Sequence, residues 1–168
     1  LPALNEAPTL RALIPELRAR FPAAEIIVVD DGSTDDTRAC VEAAGATALR
    51  QPYRMGNGAA IKRGARAARG RTLVFMDADG QHRPEHVQQL LDRLAEGFDM
   101  VVGARKAHQH ADGGRRLANL SFNRLASWMT GHRILDLTSG LRAVDADKFK
   151  EFLHLLPNGF SYPTTITM

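Results

Sequence analysis

The sequence predicts an α/β fold with a mostly parallel sheet flanked by helices, and three observations favour this prediction. Short β-branched runs alternate with segments whose apolar residues recur at helical spacing, as in sheets joined by crossover helices. The chain has 168 residues, of which 44% are hydrophobic and 24% charged, and this composition suits one globular domain over 1–168. Acidic residues follow several predicted strands, at the edge where open parallel sheets bind ligands.

The alternation runs from the first residues to position 105. The run EIIVVDD predicts a strand, and Ser33 to Asp36 has the form of a capping box, which predicts the start of a helix. In chain order we expect a helix with its apolar face from Leu10 to Phe21, a strand at 25–31, a helix at 34–44, a strand at 46–50, a helix at 56–70, a strand at 71–77, a helix at 84–97 and a strand at 99–105.

The pattern changes after position 105. A polar stretch at 106–114 predicts a loop, and apolar spacing then predicts a helix at 115–130. A short strand at 140–145 and a helix at 146–156 complete the prediction. Since the chain begins at Leu1 without a methionine and stops in YPTTITM, we expect the domain to be truncated at both ends.

Composition and charge exclude several classes of protein. The 22 Lys and Arg residues are scattered among 19 acids, so no basic tract indicates a nucleic-acid partner. A single cysteine, Cys40, excludes an internal disulfide and fits a reducing compartment. No apolar run reaches the roughly 20 residues of a membrane-spanning helix, and no signal-peptide pattern is present. We expect a protein of the cytoplasm or of the cytoplasmic face of a membrane.

Acidic residues occur where three strands of the predicted sheet end. Glu6 would follow a first strand that is mostly absent, Asp30 and Asp31 end the next strand, and Asp77 and Asp79 end the strand at 71–77. Any one of these is explained by the preference of Asp for turns. Together on one edge they favour a magnesium-like ion, which prefers carboxylate oxygens and the phosphates of its substrate.

Six motifs carry a resemblance to a known family. They are PALNE, VVDDGSTDDT, GNGAAIKRG, MDADGQHRPE, VVGAR and DLTSGLRAVD. Their order and intervals resemble a family 2 glycosyltransferase of the GT-A fold, closest to the branch of dolichyl- or polyprenyl-phosphate sugar synthases. The resemblance implies a Rossmann-like sheet, a UDP- or GDP-linked sugar bound on its edge with Mg²⁺ or Mn²⁺, and transfer with inversion to a lipid phosphate at a membrane surface.

The resemblance also assigns roles by position. Asp77, Asp79 and Gln81 match the metal ligands, and Asp79 and Arg105 match the residues nearest the chemistry, with Arg105 facing the reacting phosphates. The residues implied for the bound nucleotide-sugar are Pro2, Leu4 and Glu6 in the first loop, Val28 and Asp30 at the base-contacting strand end, and Asp77, Ala78, Asp79 and Gln81 in the diphosphate loop.

The sequence is compatible with two types of acceptor, a lipid phosphate and a sugar hydroxyl. A lipid phosphate is already an anion and needs cations, for which Arg105 is the first candidate; Arg115, Arg116, Asn119 and Asn123 are further candidates for the acceptor site. A sugar hydroxyl instead needs a base, and Asp136 is available, although an Asx-turn explains this residue equally well.

Two alternatives come from other classes of protein. The Asp77 loop is similar to the nucleophile loop of haloacid-dehalogenase phosphatases, with Asp77 as nucleophile and Asp79 as acid/base. That family expects a Thr and an apolar residue at Gln81 and His82 and a loop near the amino terminus, and neither holds. A non-catalytic nucleotide-sugar-binding module is the other alternative, against which the intact Asp77, Asp79 and Arg105 argue.

Overall fold

The first part of the chain alternates strands with helices, as the sequence predicts. In the computed structural model, residues 1–104, 123–129, 131, 134–159 and 161–167 are described. In chain order the elements up to residue 104 are β1 (Pro2–Ala3), α1 (Ala7–Arg20), β2 (Ile27–Asp30), α2 (Thr37–Ala43), β3 (Thr47–Arg50), α3 (Asn57–Ala67), β4 (Thr72–Phe75), α4 (Pro84–Leu94) and β5 (Met100–Val102).

The second part adds a strand and three helices among the described residues. They are α5 over 123–129, β6 (Arg142–Asp145), α6 (Ala146–Phe152) and α7 (Tyr162–Thr167). The predicted loop at 106–114 and the first part of the predicted helix at 115–130 lie outside the described residues. No helix in the described part of the chain is both long and apolar enough to cross a membrane.

The strands within the described residues form two three-stranded sheets. In the first, β2 lies between β1 and β3 and all three run parallel, which confirms the prediction of a mostly parallel arrangement. In the second, β6 lies between β4 and β5 and runs antiparallel to both, so that β4 and β5 share one direction. The sequence predicts a strand at 140–145 but not this insertion, because its two partners lie far away along the chain.

Helices cover both faces of the second sheet. Along β4, Leu73 and Phe75 face a core cluster that includes Phe149 of α6. Val74, and Met76 just after the strand, contact the cluster of α1 and α4. This alternation is the period-two pattern of a strand buried on both faces. The sandwich of helices fixes β4, and with it the acidic residues that follow.

The capping-box prediction for α2 is wrong. This helix begins at Thr37 rather than at residue 34, and the side chain of its N-cap residue makes no capping hydrogen bond. The Ser33 hydroxyl instead accepts a hydrogen bond from the backbone N–H of Asn5, at 2.9 Å. The residues that resemble a cap therefore hold a neighbouring loop in place, a long-range role that local sequence does not reveal.

Candidate active site

A pocket of about 170 Å³ opens where the carboxyl ends of β1, β2 and β4 meet. This is the edge at which α/β sheets bind ligands, and it joins residues from several of the motifs. The pocket contains six of the residues predicted to bind a nucleotide-sugar. Its lining comprises Pro2, Ala3, Leu4, Glu6, Asp31, Arg54, Gly56, Asn57, Asp77, Ala78 and Asp79.

The loop after β4 directs two carboxylates towards this pocket. Ala78 is buried and packs into the core cluster that contains Leu10 and Ile14, so it anchors the middle of the loop. Asp77 and Asp79, on either side, line the pocket. The backbone N–H of Gln81 donates to Asp79 Oδ1 at 3.0 Å, which stabilises the tight turn. The small inward residue thus explains how two acids one residue apart reach the same cavity.

This donor set fits a hard divalent cation that shares its coordination with a substrate. The oxygens of Asp77 and Asp79 are the type of ligand that Mg²⁺ and Mn²⁺ prefer. Among the described residues no group of three or more His, Cys, Asp or Glu side chains could hold a metal alone. An ion here would therefore complete its shell with other oxygens, such as those of a diphosphate. Gln81 is exposed and outside the pocket lining, so its role as a ligand stays a prediction.

Gly140 packs directly against the first of these carboxylates. A Cβ atom at this position would overlap the Asp77 carboxylate, lying 2.5 Å from its Cγ and 2.7 Å from Oδ1. Only glycine permits so close an approach of the backbone. The loop that precedes β6 is tied to the end of β5 as well, because the Ser139 hydroxyl donates to the Gly103 carbonyl at 2.5 Å.

A fully buried arginine, Arg142, donates hydrogen bonds to the loop that precedes β6. The Arg142 guanidinium donates to the carbonyls of Ser139 at 2.9 Å and Leu137 at 3.1 Å, and to Thr167 Oγ1 at 2.5 Å. Burial lowers the pKa of Arg142, while nearby Tyr162, Asp136 and Asp77 act in the opposite direction. The prediction from sequence missed this residue; the signal available was a cation within the apolar run of a predicted strand.

The two acids at the end of β2, Asp30 and Asp31, are in a different environment. Asp31 is 6% exposed, and its two oxygens accept hydrogen bonds from the backbone N–H groups of Met55 at 2.7 Å and Gly56 at 2.9 Å. Asp30 is 2% exposed, and its Oδ1 accepts from the Ser33 N–H at 2.7 Å. Backbone donors therefore reach both carboxylates, and Asp30 Oδ2 also lies 3.8 Å from Arg50 Nε. Of the two acids only Asp31 lines the pocket.

The first loop is held by the motif that follows β2. Asn5 has a positive φ of 58°, which is uncommon outside glycine. Three consecutive backbone N–H groups of this loop donate to side chains of the motif. One acceptor is Asp35, whose pKa is lowered mainly by the hydrogen bond from the Thr37 hydroxyl. The DDGSTDDT stretch thereby shapes the loop that brings Leu4 and Glu6 to the pocket.

The amino terminus of α3 is occupied by protein rather than open to an anion. The N–H of Ala59 donates to the Asn158 carbonyl at 3.0 Å, and Lys62 Nζ donates to the Leu156 carbonyl at 2.8 Å. Neither group faces the pocket. Arg54 and Asn57, which the sequence did not single out, do line it, and Asn57 Oδ1 is buried without a hydrogen-bond partner among the described residues.

Several predicted residues are not brought to the pocket. The Val28 side chain is fully buried in the core, so any contact of Val28 or Asp30 with a nucleotide stays a prediction. Asp136 forms an Asx-turn, since its Oδ1 accepts from the N–H and hydroxyl of Thr138 at 3.1 and 3.2 Å. The residues predicted near the acceptor that lie outside the described part of the chain are Arg105, Arg115, Arg116 and Asn119.

A second cavity, of about 560 Å³, lies between β2 and β4. Its lining includes the residues before both strands, Glu25 and Gly70 among them, and neither Asp77 nor Asp79. Because ligands of parallel sheets bind at the carboxyl ends of strands, the smaller pocket is the better candidate for the active site.

Comparison with known proteins assigns the family. The model of the family described as glycosyl transferase family 2 matches residues 1–153. The chain is 32% identical over 167 residues to an undecaprenyl-phosphate mannosyltransferase of Micrococcus luteus, covering 89% of this chain and 66% of that protein. It is 31% identical over 171 residues to glycosyltransferase AglJ of Haloferax volcanii, covering 99% and 55%. The chain thus spans between half and two thirds of these curated relatives.

Solved structures show the same fold. Glucosyl-3-phosphoglycerate synthase from Mycobacterium tuberculosis, in complex with Mn²⁺ and UDP-glucose, superposes with a TM-score of 0.75 at 29% identity, over 97% of this chain and 60% of that chain. Mannosyl-3-phosphoglycerate synthase from Rubrobacter xylanophilus superposes with a TM-score of 0.81 at 23% identity, over 99% and 57%. The α/β architecture is therefore the GT-A fold.

Proposed function

This chain belongs to glycosyl transferase family 2, and we propose that residues 1–168 form a catalytic domain that moves a sugar, with inversion, from a nucleotide-diphosphate sugar to a polyprenyl phosphate. The pair Asp77 and Asp79, which faces a pocket at the carboxyl ends of the strands, is the observation that carries the proposal. The name of the Micrococcus luteus relative supports a polyprenyl-phosphate acceptor. The site would work at the cytoplasmic face of a membrane.

The proposed role of Asp77 and Asp79 follows from the negative charge that develops on the donor during transfer. Asp77 and Asp79 would hold Mg²⁺ or Mn²⁺ with the donor diphosphate, and such an ion stabilises the negative charge that grows on the leaving nucleotide. The carboxylates would position the metal ion and would not attack the sugar. The buried Ala78 keeps the backbone of the loop close to the pocket. The mycobacterial structure, which contains Mn²⁺ and UDP-glucose, supports a UDP-linked donor.

The acceptor side favours an anion over a hydroxyl. A phosphate supplies its own nucleophilic oxygen, so no base is required, whereas a hydroxyl must lose its proton. Asp136, the candidate base, already accepts two hydrogen bonds from Thr138 and is buried. The resemblance to polyprenyl-phosphate sugar synthases, whose VVGAR motif ends in Arg105, supports this arginine as the residue that would face the acceptor phosphate. Its guanidinium suits phosphate oxygens.

A hydroxyl acceptor is the second candidate. Its support is a solved relative in complex with phosphoglyceric acid, a molecule that offers a hydroxyl as well as a phosphate. In that case Asp136 would have to accept the proton. The haloacid-dehalogenase alternative is not retained, because the glycosyltransferase family model covers the Asp77 loop and all the strands around it.

Transfer assays with the full-length protein test the proposal. UDP- and GDP-linked sugars are each incubated with undecaprenyl phosphate or with 3-phosphoglycerate, in the presence and absence of Mn²⁺. We expect metal-dependent transfer of sugar to the lipid, with substantial activity retained in Asp136→Asn. Transfer to the hydroxyl acceptor alone, together with a folded but inactive Asp136→Asn protein, would replace the lipid-phosphate proposal by the base-assisted one.

A further inference from the structure

The candidate pocket has an excess of negative charge. Among the described residues its lining contains four carboxylates, those of Glu6, Asp31, Asp77 and Asp79, and one cationic side chain, that of Arg54. A single divalent ion would neutralise two of these four negative charges. The phosphates of a nucleoside diphosphate add negative charge of their own, and like charges at short range repel. A further cation is therefore needed to hold such an anion, and Arg54 is the one that the pocket supplies.

The Arg54 guanidinium is available to bind an anion. Arg54 is exposed, and within the described part of the chain its side chain makes neither a hydrogen bond nor an ion pair with the protein. Arg50, four residues earlier, does have protein partners: its Nε lies 3.8 Å from Asp30 Oδ2, and it donates to the Ser33 carbonyl at 3.4 Å. Guanidinium groups present a planar set of donors that matches phosphate oxygens.

The backbone that carries Arg54 is fixed by the loop after β2. The Asp31 carboxylate accepts hydrogen bonds from the N–H groups of Met55 and Gly56, the two residues that follow Arg54. A Cβ atom on Gly32 would lie 3.0 Å from the backbone nitrogen of Arg54, so the two segments are in close contact. A side chain on a fixed backbone binds a ligand without the entropy cost of ordering a loop.

The segment before α3 is also enclosed from its other side. Gly56 has a positive φ of 98°, and a Cβ atom there would lie 2.6 Å from the Asn158 carbonyl oxygen. Only glycine combines this backbone conformation with so close an approach. The N–H of Ala59 donates to the same carbonyl at 3.0 Å. Contacts on both sides thus hold the backbone next to Arg54, whose side chain lines the pocket.

We propose that Arg54 binds the diphosphate of the donor and makes the site selective for nucleoside diphosphates over nucleosides. The inference rests on the proposed function, since it takes the ligand of the pocket to be a nucleotide-diphosphate sugar. The charge of the diphosphate would be shared between the ion held by Asp77 and Asp79, after β4, and a guanidinium from the segment before α3. Because arginine is always charged, its contribution does not depend on the metal.

Comparing a nucleoside diphosphate with its nucleoside separates this contact from a structural role. UDP and uridine, or GDP and guanosine if the wild type prefers GDP, are titrated into the full-length protein at saturating Mn²⁺, by calorimetry and by ligand-detected NMR. Arg54→Ala should bind the diphosphate about 10- to 100-fold more weakly, the loss of a charge-assisted hydrogen bond, and the nucleoside as the wild type does. Arg54→Lys should recover part of the loss, since it keeps the charge but not the planar donors.

Arg66→Ala is the matched control. Arg66 is exposed on α3 and lies outside the pocket lining, so this variant removes one positive charge away from the site. It should bind both ligands as the wild type does. Equal diphosphate affinity in Arg54→Ala and the wild type, or a parallel loss of diphosphate and nucleoside affinity, would overturn the proposal. Mn²⁺ should still raise the diphosphate affinity of Arg54→Ala; loss of that effect would assign Arg54 to the metal site instead.

Failure of the proposed function gives a different result. If the wild type binds neither UDP nor GDP, with or without Mn²⁺, the proposed donor and the role of Arg54 fail together. If the wild type binds one of them in a metal-dependent manner and Arg54→Ala binds it equally well, the proposed donor stands and only the assignment of Arg54 fails.

Discussion

Two pairs of acids, one after β2 and one after β4, have similar settings in the sequence and different surroundings in the structure. At the end of β2, the carboxylates of Asp30 and Asp31 are buried and accept hydrogen bonds from backbone N–H groups. At the end of β4, Asp77 and Asp79 face a pocket, and the residue between them is the buried one. The first pair bonds to the backbone of nearby loops, and we propose that the second binds a ligand.

The two pairs differ in the hydrogen-bond donors that their carboxylates accept. Asp31 accepts hydrogen bonds from two backbone N–H groups of the segment before α3. Without this acceptor the two donors would lack a partner, which would lower the stability of the fold. Asp79 accepts one, from Gln81 in its own turn, and is exposed. Asp31 and Asp79 therefore differ in the number of backbone donors that their carboxylates accept and in their exposure.

The largest effect is expected for Asp79→Ala. Loss of this carboxylate removes a direct ligand of the proposed ion, so the rate of sugar transfer should fall about 100-fold or more. Transfer measured at saturating donor and metal tests this expectation. Asp92→Ala is the control, because Asp92 lies on the exposed side of α4 and bonds Gln88. Equal rates for Asp79→Ala and the wild type would remove the functional distinction between the two strand ends.

Gly140→Ala should have the next largest effect. The added methyl group would overlap the Asp77 carboxylate. It must therefore displace either the loop that contains Gly140 or the Asp77 side chain. We expect transfer to fall about 10- to 100-fold, the cost typical of disturbing the support of a metal ligand. Gly159→Ala is the matched control, since a Cβ there meets no atom within 4 Å. An unchanged affinity for Mn²⁺ in Gly140→Ala would show that Gly140 does not position Asp77.

Asp31→Ala should affect stability more than chemistry. It leaves the N–H groups of Met55 and Gly56 without their acceptor, at a cost of about 1–3 kcal/mol. Urea unfolding measures the loss, and Asp31→Asn, which keeps one acceptor oxygen, should recover part of it. The surviving folded protein should still require a metal. A metal-independent Asp31→Ala protein would place this carboxylate in the metal site and contradict the comparison.

Asp30→Ala should have the smallest effect on transfer. If Asp30 contacts the nucleoside, as its place at the end of β2 suggests, the affinity for UDP at saturating Mn²⁺ should fall about three- to tenfold, the loss of one hydrogen bond. The metal requirement should be unchanged. Calorimetry at fixed Mn²⁺ provides the measurement, and loss of metal binding with normal nucleotide affinity would reverse the assignment of the two strand ends.

Periodicity predicted the elements of the fold better than their pairing. Apolar spacing located α1, α3, α4 and the strands β2 to β5, because these patterns are local. It could not show that β6 inserts antiparallel between β4 and β5, since that depends on residues about 70 and about 40 positions apart along the chain. It also misassigned Ser33 as a cap, because its real partner, the N–H of Asn5, lies 28 residues away.

The candidate site was predictable where a motif is compact. Asp77, Ala78 and Asp79 lie next to one another in sequence and line the pocket together. Arg142 and Gly140 were missed because their roles arise from contacts with a loop and a carboxylate that only the folded chain supplies. Arg54 and Asn57 reach the pocket through the turn before α3, whose direction follows from Asp31. Contacts made in the folded chain, and not residue type, distinguish these four positions.

Calorimetric titration of UDP, with and without Mn²⁺, distinguishes the two strand ends. We propose that the carboxylates after β4, and not those at the end of β2, make donor binding depend on a metal. For the wild type and Asp31→Asn we expect UDP affinity to rise strongly when Mn²⁺ is added, whereas Asp79→Ala should show the same weak affinity in both conditions. A wild type that binds UDP equally well with and without Mn²⁺, or an Asp79→Ala protein that keeps the metal effect, would contradict the account.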